Sequence, residues 1–220
     1  MKTKHLQLFS LAAATTASIL LLTSCASTGY DEGNKTAANI QTAADLIAAL
    51  PAQIDTTLAS LNEIVNQPQA DLRPQYKQFA ANVAKVESSA KEIGAARRAM
   101  GAKQKEFFAK WDEQLAQIKN EDIKARSERR KAEVNQKLLA VKKSYSVAEM
   151  DFQPFMSDLR DVQKFLSVDL TPGGVAAIKD TAAKASQHAV PLKASAIKLA
   201  GDFKALGVSM SSITAPPPIK

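Results

Sequence analysis

VNQKLLAVKKSYSVAEMDFQPFMSDLRDVQKFL, Val134–Leu166, decides the fold. Its apolar residues fall at Val134, Leu138, Val141, Tyr145, Ala148, Phe152, Phe155, Leu159, Val162 and Leu166. The steps alternate between four and three, which is the spacing of a helix packed along a coiled-coil seam. Upstream the same helix reads back to Glu121 with a mostly polar face. Asn120 suits its N-cap, and Glu121 and Asp122 suit the positive end of its dipole. A tight turn at Lys119–Asn120 is expected there, with one helix running on through that point as the rival.

Three more seams flank this one. The first helix is expected from Asn34 as N-cap to about Asn66, with seam Ile40, Ala43, Ile47, Leu50, Ile54, Thr57, Leu61 and Ile64. A turn from Gln67 to Asp71 leads to a second helix from about Leu72 to Ile118. Its seam runs Leu72, Tyr76, Phe79, Val83, Val86, Ala90, Ile93, Arg97, Met100, Gln104, Phe107, Trp111, Gln114 and Ile118, with polar interruptions in the second half. After Thr171-Pro172, a cap and a first-turn proline, the fourth helix is expected to reach about Leu206. Its seam reads Val175, Ile178, Ala182, Ala185, Ala189, Leu192, Ala196, Leu199, Phe203 and Leu206, with Gly207 as its stop. No alternating β-branched run suggests a strand.

These seams and short turns predict an all-α fold, an elongated antiparallel four-helix bundle or coiled coil with a longer, protruding central helical hairpin. On paper the hairpin overshoots the first helix by about 15 residues, roughly 20–25 Å. Pro51, Pro154 and Pro191 fall inside helices. They either share one height and bend three helices together, or are tolerated one by one with small local kinks.

The ends of the chain read differently. Residues 1–24 have a short basic start (Lys2, Lys4), an apolar run too diluted for a stable transmembrane span, and then Leu22-Thr23-Ser24-Cys25. That ending resembles the bacterial lipobox, so a lipoprotein signal peptide cut before Cys25 is expected, with lipidation (palmitate among the acyl chains) on Cys25. Ala26 resembles the outer-membrane sorting pattern, which implies the cell envelope, outer membrane facing the periplasm. Residues 25–33 are expected as a lipidated flexible linker, 34–207 as the helical coiled-coil domain, and 208–220 as a Pro-rich tail, disordered or polyproline II. Cys25 is the only cysteine, so an intrachain disulfide and a free catalytic thiol are both excluded.

FFAKWDEQLAQIKNEDIKARSERRKAE (Phe107–Glu133) and FQPFMSDLRDVQKFL (Phe152–Leu166) resemble a bacterial family of unknown function, DUF2959. The Trp111 segment and the Ser127–Arg130 segment are the specific part of the likeness. The resemblance implies a helical envelope lipoprotein. It implies no activity and no functional residues.

Catalytic chemistry is hard to place. His188 is the one histidine after the signal, lies beside the fourth seam, and has no acid one turn away. Neither a Glu-x-x-His pair nor a Gly-rich phosphate loop is present. Asp158 and Asp161, among Arg160 and Lys164, read as a solvated face. The expectation is no enzyme, no cofactor and no metal.

Charge is more informative. The whole chain has 29 Lys+Arg and 22 Asp+Glu, a net of +7; removing Lys2 and Lys4 leaves a net of +5. Arg97–Lys143 alone holds 14 basic and 7 acidic residues. Lys119, Lys124, Arg126, Arg129, Arg130 and Lys131 cluster at the expected hairpin tip, either as a solvated face or as an anion-binding site. In an exported protein the anions are phosphates of lipid headgroups or carboxylates of peptidoglycan, and nucleic acid is not expected. Phe107, Phe108 and Trp111 lie on the same hairpin, where two helices alone would leave them partly uncovered, so a self-association or partner interface is expected there. The leading reading is a membrane-tethered, non-catalytic coiled-coil lipoprotein that scaffolds, self-associates as a homo-oligomer or pairs with another coiled-coil envelope protein. The alternative is a binding module whose basic tip contacts anionic lipid or peptidoglycan.

Overall fold

The computed structural model describes residues 29–212, and all of its elements are helices: α1 (Gly29–Asn66), α2 (Arg73–Ala116), α3 (Glu121–Val168), α4 (Pro172–Ala177) and α5 (Lys179–Met210). The chain folds as an all-α bundle, with the short α4 leading through Ile178 into α5, so that the pair fills the place of a fourth helix. The turn at Lys119–Asn120 is present. Asn120 is extended, and its side chain accepts the Ile123 backbone N–H at 3.1 Å, which starts α3 as a new helix. Thr171 caps α4 in the same way, its hydroxyl accepting from Gly174 N at 3.1 Å. Gly174 is required there, because a Cβ on it would stand 2.2 Å from the Asp169 carbonyl oxygen.

The outer seams are closed along their whole length. All eight expected positions of α1 and all ten of the final helix are buried. Phe79, Phe155 and Phe203 are fully enclosed, each contributing about 1.5–3 kcal/mol by leaving water. Buried polar groups are paired: Asn82 donates to Ser60 at 3.1 Å, and Gln75 donates to the Glu63 and Gln67 carbonyls, tying α2 to the turn before it. α1 packs on α2 and α5, and α3 packs on α5, whereas α2 and α3 touch only sparsely. That open side falls where the middle seams carry small or charged residues. Ala90, Tyr145, Ala148 and Phe152 are only half-buried, and Arg97 is exposed.

The end of the bundle near the hairpin departs from the expected geometry. α1 begins five residues before Asn34, so Asn34 is not its N-cap. Instead its carboxamide bonds Ser212, accepting from the backbone N at 2.8 Å and donating to Oγ at 2.7 Å, which fastens the start of α1 to the end of α5. α5 runs through Gly207 to Met210; that glycine is not a stop but a close-approach site, where a Cβ would lie 3.3 Å from Ile40 Cγ2. These two extensions shorten the overhang. The Ser60–Asn82 and Gln53–Ser89 bonds set the α1–α2 register, and it brings Gly33 beside Phe107. Carried on to Gly29, that register leaves α2 only about one turn ahead of α1, roughly 5 Å rather than 20–25 Å. The tip is therefore the end of α2, the turn and the first two turns or so of α3.

All three internal prolines lie within continuous helices. Nδ1 of His188 on α5 is 2.7 Å from Asp158 on α3, and Lys193 on α5 pairs with Asp55 on α1 at 2.6 Å. In antiparallel helices these contacts put Pro191 level with Pro154 to about one residue and within about two turns of Pro51.

Candidate functional site

The basic tip is built from a polar stretch that packing does not need. Before Val134, α3 buries no side chain, and its outward positions carry the cations. Lys119 in the turn and Arg126 and Arg129 on α3 are exposed, and Lys124 is half-buried. No ion pair or hydrogen bond engages any of these four side chains among the described residues.

The other two expected cations have different roles. Arg130 pairs with Glu133 at 3.1 Å and also donates to the Ser209 carbonyl in the last turn of α5. A guanidinium at that place caps a free carbonyl and faces the negative end of the α5 dipole. Lys131 pairs with Asp112 on α2 and sits over the Phe108 ring, 5.5 Å from its centroid. The structure thus divides the six cations into four with free head groups and two that join helices.

The aromatic group is partly used up in the same joint. Phe107 meets Trp111 edge-on with centroids 5.4 Å apart, and Phe108 stacks near Trp111 at 6.4 Å. Trp111 donates its indole N–H to Ser127 Oγ on α3 at 2.8 Å. All three rings are half-buried, with the start of α1 against Phe107. The expected uncovered seam is therefore covered in large part by the chain itself, because α1 starts earlier and α5 ends later than their glycines suggest. Residue spacing gave no sign of the Trp111–Ser127 bond or the Arg130–Ser209 contact, since both partners lie on separate helices.

Cys25 lies outside the described residues, as do residues 1–28 and 213–220 in general. No helix among the described residues is long and apolar enough to cross a membrane. No three His, Cys, Asp or Glu side chains converge on a possible metal position among them. His188 is satisfied by Asp158, a partner thirty residues away on another helix that i±4 reasoning does not reach.

A family model for a protein of unknown function, DUF2959, matches residues 23–198, and the chain belongs to that family. The match takes in both stretches that carried the resemblance. No curated protein and no solved structure matches.

Proposed function

We propose that this member of a family without assigned function is a non-catalytic, lipid-tethered protein of the bacterial cell envelope whose basic tip rests on an anionic surface beside its anchor. One observation carries the reading: the start of α1 and the basic tip lie at the same end of the bundle, with Gly33 against Phe107 at the base of the tip. α1 opens at Gly29, four residues after Cys25. Acylation of Cys25 would hold Lys119, Lys124, Arg126 and Arg129 close to lipid headgroups. Each such cation near an anionic leaflet adds on the order of 1 kcal/mol, and none of the four head groups is engaged by a protein partner, while the exposed Glu121, Asp122 and Glu128 on the same turns offset part of the attraction. The lipobox-like Leu22-Thr23-Ser24-Cys25 supports the anchor, and Ala26 supports the outer membrane as its place.

The test has two parts. Mass spectrometry of the chain taken from its envelope should find acylated Cys25; an unmodified thiol would end the anchor. A domain beginning at Gly29 should bind vesicles containing anionic lipid, release them as salt rises, and ignore zwitterionic vesicles. Equal binding to both would reduce the tip to a solvated face.

A second reading, a self-assembling scaffold, is favoured by Val190 and Ile197 rather than by the aromatics. They stand seven residues apart on one face of α5, 65% and 62% exposed. Light scattering of the same domain separates the two: a monomer leaves only the surface-binding role.

A further inference from the structure

The open side between α2 and α3 is a cleft of about 300 Å³ that reaches the core. Its floor is Ile47 and Leu50 of α1 with Leu192, Ala196 and Leu199 of α5. Its walls carry Gly94 from α2 and Tyr145, Ala148 and Phe152 from α3. The middle seams were expected to close here, and they do not, because glycine and alanine leave nothing to fill the gap. The cleft also lies at the height of the internal prolines: Leu50, Gln153 and Leu192, each next to a proline, all line it. A proline removes one helical N–H, so three of the four helices are locally loosened around this space.

Its shape and charge narrow the ligand. The lining runs from Glu87 to Arg98 on α2, about 16 Å along the axis, so the cleft is a slot and favours a chain over a compact ring system. One end is bridged by the Glu87–Arg160 ion pair at 2.6 Å. Toward the other end Arg97 lies on the Tyr145 ring, 4.4 Å from its centroid. Along the rim stand Lys91 and Arg98, exposed and engaged by no hydrogen bond or ion pair among the described residues, against Glu149 as the acid. With Glu87 and Arg160 paired and Arg97 outside the lining, the lining residues carry an excess of one positive charge, and an apolar slot of that charge matches a single-chain amphiphile that bears one negative charge. We propose that the cleft binds a free long-chain carboxylate, its alkyl chain on Leu50, Phe152 and Leu192 and its head group at Lys91 and Arg98. The acyl chains of an anchor at Cys25 do not meet this description. Leu50 is 21 residues along α1 from Gly29, about 30 Å from the helix start.

The experiment uses the full chain in its own cells. Cells are fed palmitate bearing a diazirine and irradiated, and adducts on the purified chain are mapped by mass spectrometry, with any label on Cys25 set aside. Adducts are expected on the stretch from Tyr145 to Phe152 and beside Ile93. Ala148→Trp fills the slot and should abolish them. Lys91→Glu with Arg98→Glu, both at exposed and unpartnered positions, should lower their yield about fivefold or more by reversing two head-group contacts. If Ala148→Trp melts well below the parent chain, the charge-reversal pair decides. Unlabelled palmitate in excess should displace the probe. Unchanged adducts in the charge-reversal pair, adducts confined to the basic tip, or displacement by lysophospholipid but not by palmitate would each overturn the assignment.

Discussion

The indole N–H of Trp111 on α2 is bonded to Ser127 Oγ on α3 at 2.8 Å, and this bond crosses the tip of the hairpin where apolar packing is thinnest. It lies beside the Lys131–Asp112 pair and the Lys131 contact with Phe108. The hairpin is thus joined by polar and aromatic contacts where the bundle below it is joined by a hydrophobic seam. Ser127→Ala should cost about 0.5–1.5 kcal/mol, the net contribution of one ordinary hydrogen bond. Chemical denaturation reads this as a lower midpoint; no change would mean that water serves the indole equally well.

The cations at the tip should separate by role. Gln at Lys119, Lys124, Arg126 and Arg129 should leave the melting temperature nearly unchanged while vesicle binding falls, because none of the four head groups has a protein partner. Gln at Arg130 and Lys131 should instead lower stability, by about 1 kcal/mol through loss of the Ser209 and Asp112 contacts. Identical melting curves for the two sets would remove the distinction.

Glycines should respond according to what a Cβ would meet. Gly201 sits in α5 with nothing within 4 Å of that position, so Gly201→Ala should stabilise by about 0.5–1 kcal/mol. Gly174→Ala forces the added carbon against the Asp169 carbonyl and should destabilise by several kcal/mol, about 3 or more. Thermal melts of the two variants should move in opposite directions.

Acid should act on the α1–α2 turn. The Arg73 side chain and backbone N–H both bond the Asp71 carboxyl and hold its pKa down to about 2, from an ordinary 3.8. The folded value lies below the unfolded one. The stabilisation is therefore complete above the unfolded value and fades as pH falls from about 4 towards 2. Asp71→Asn should flatten that part of a stability–pH curve and leave the neutral range without this acid-sensitive contribution. A parallel acid slope in the variant would assign the loss to other carboxyls.

Much of this fold was legible in spacing alone. The outer helices present an apolar or small residue at every inward position from Ile40 to Ile64 and from Val175 to Leu206, so period and burial agree throughout. The helix ends were less legible. Gly29 and Gly33 suggest a linker and Gly207 a stop, yet α1 opens at Gly29 and runs through Gly33, and α5 runs through Gly207, because glycine at the latter two admits close packing, of Gly33 on the Met210 carbonyl and of Gly207 on Ile40. The middle seams look continuous on paper, but a position can have the right spacing and too little bulk, as at Ala90 and Ala148, and then the helices part. Contacts such as Asn34–Ser212 and His188–Asp158 join residues far apart in sequence and have no periodic signature.

The most direct test of the account is the distance of the tip from the membrane in the anchored chain. With Cys25 acylated, a cysteine placed at Arg126 is the only free thiol and can carry a fluorophore. In anionic vesicles containing headgroup-brominated lipid, that fluorophore should be quenched, and salt should relieve the quenching. The same label at Gln69, at the other end of helices about 65 Å long, should stay bright. Quenching at Gln69 with none at Arg126 would place the opposite end of the bundle on the membrane and contradict the account.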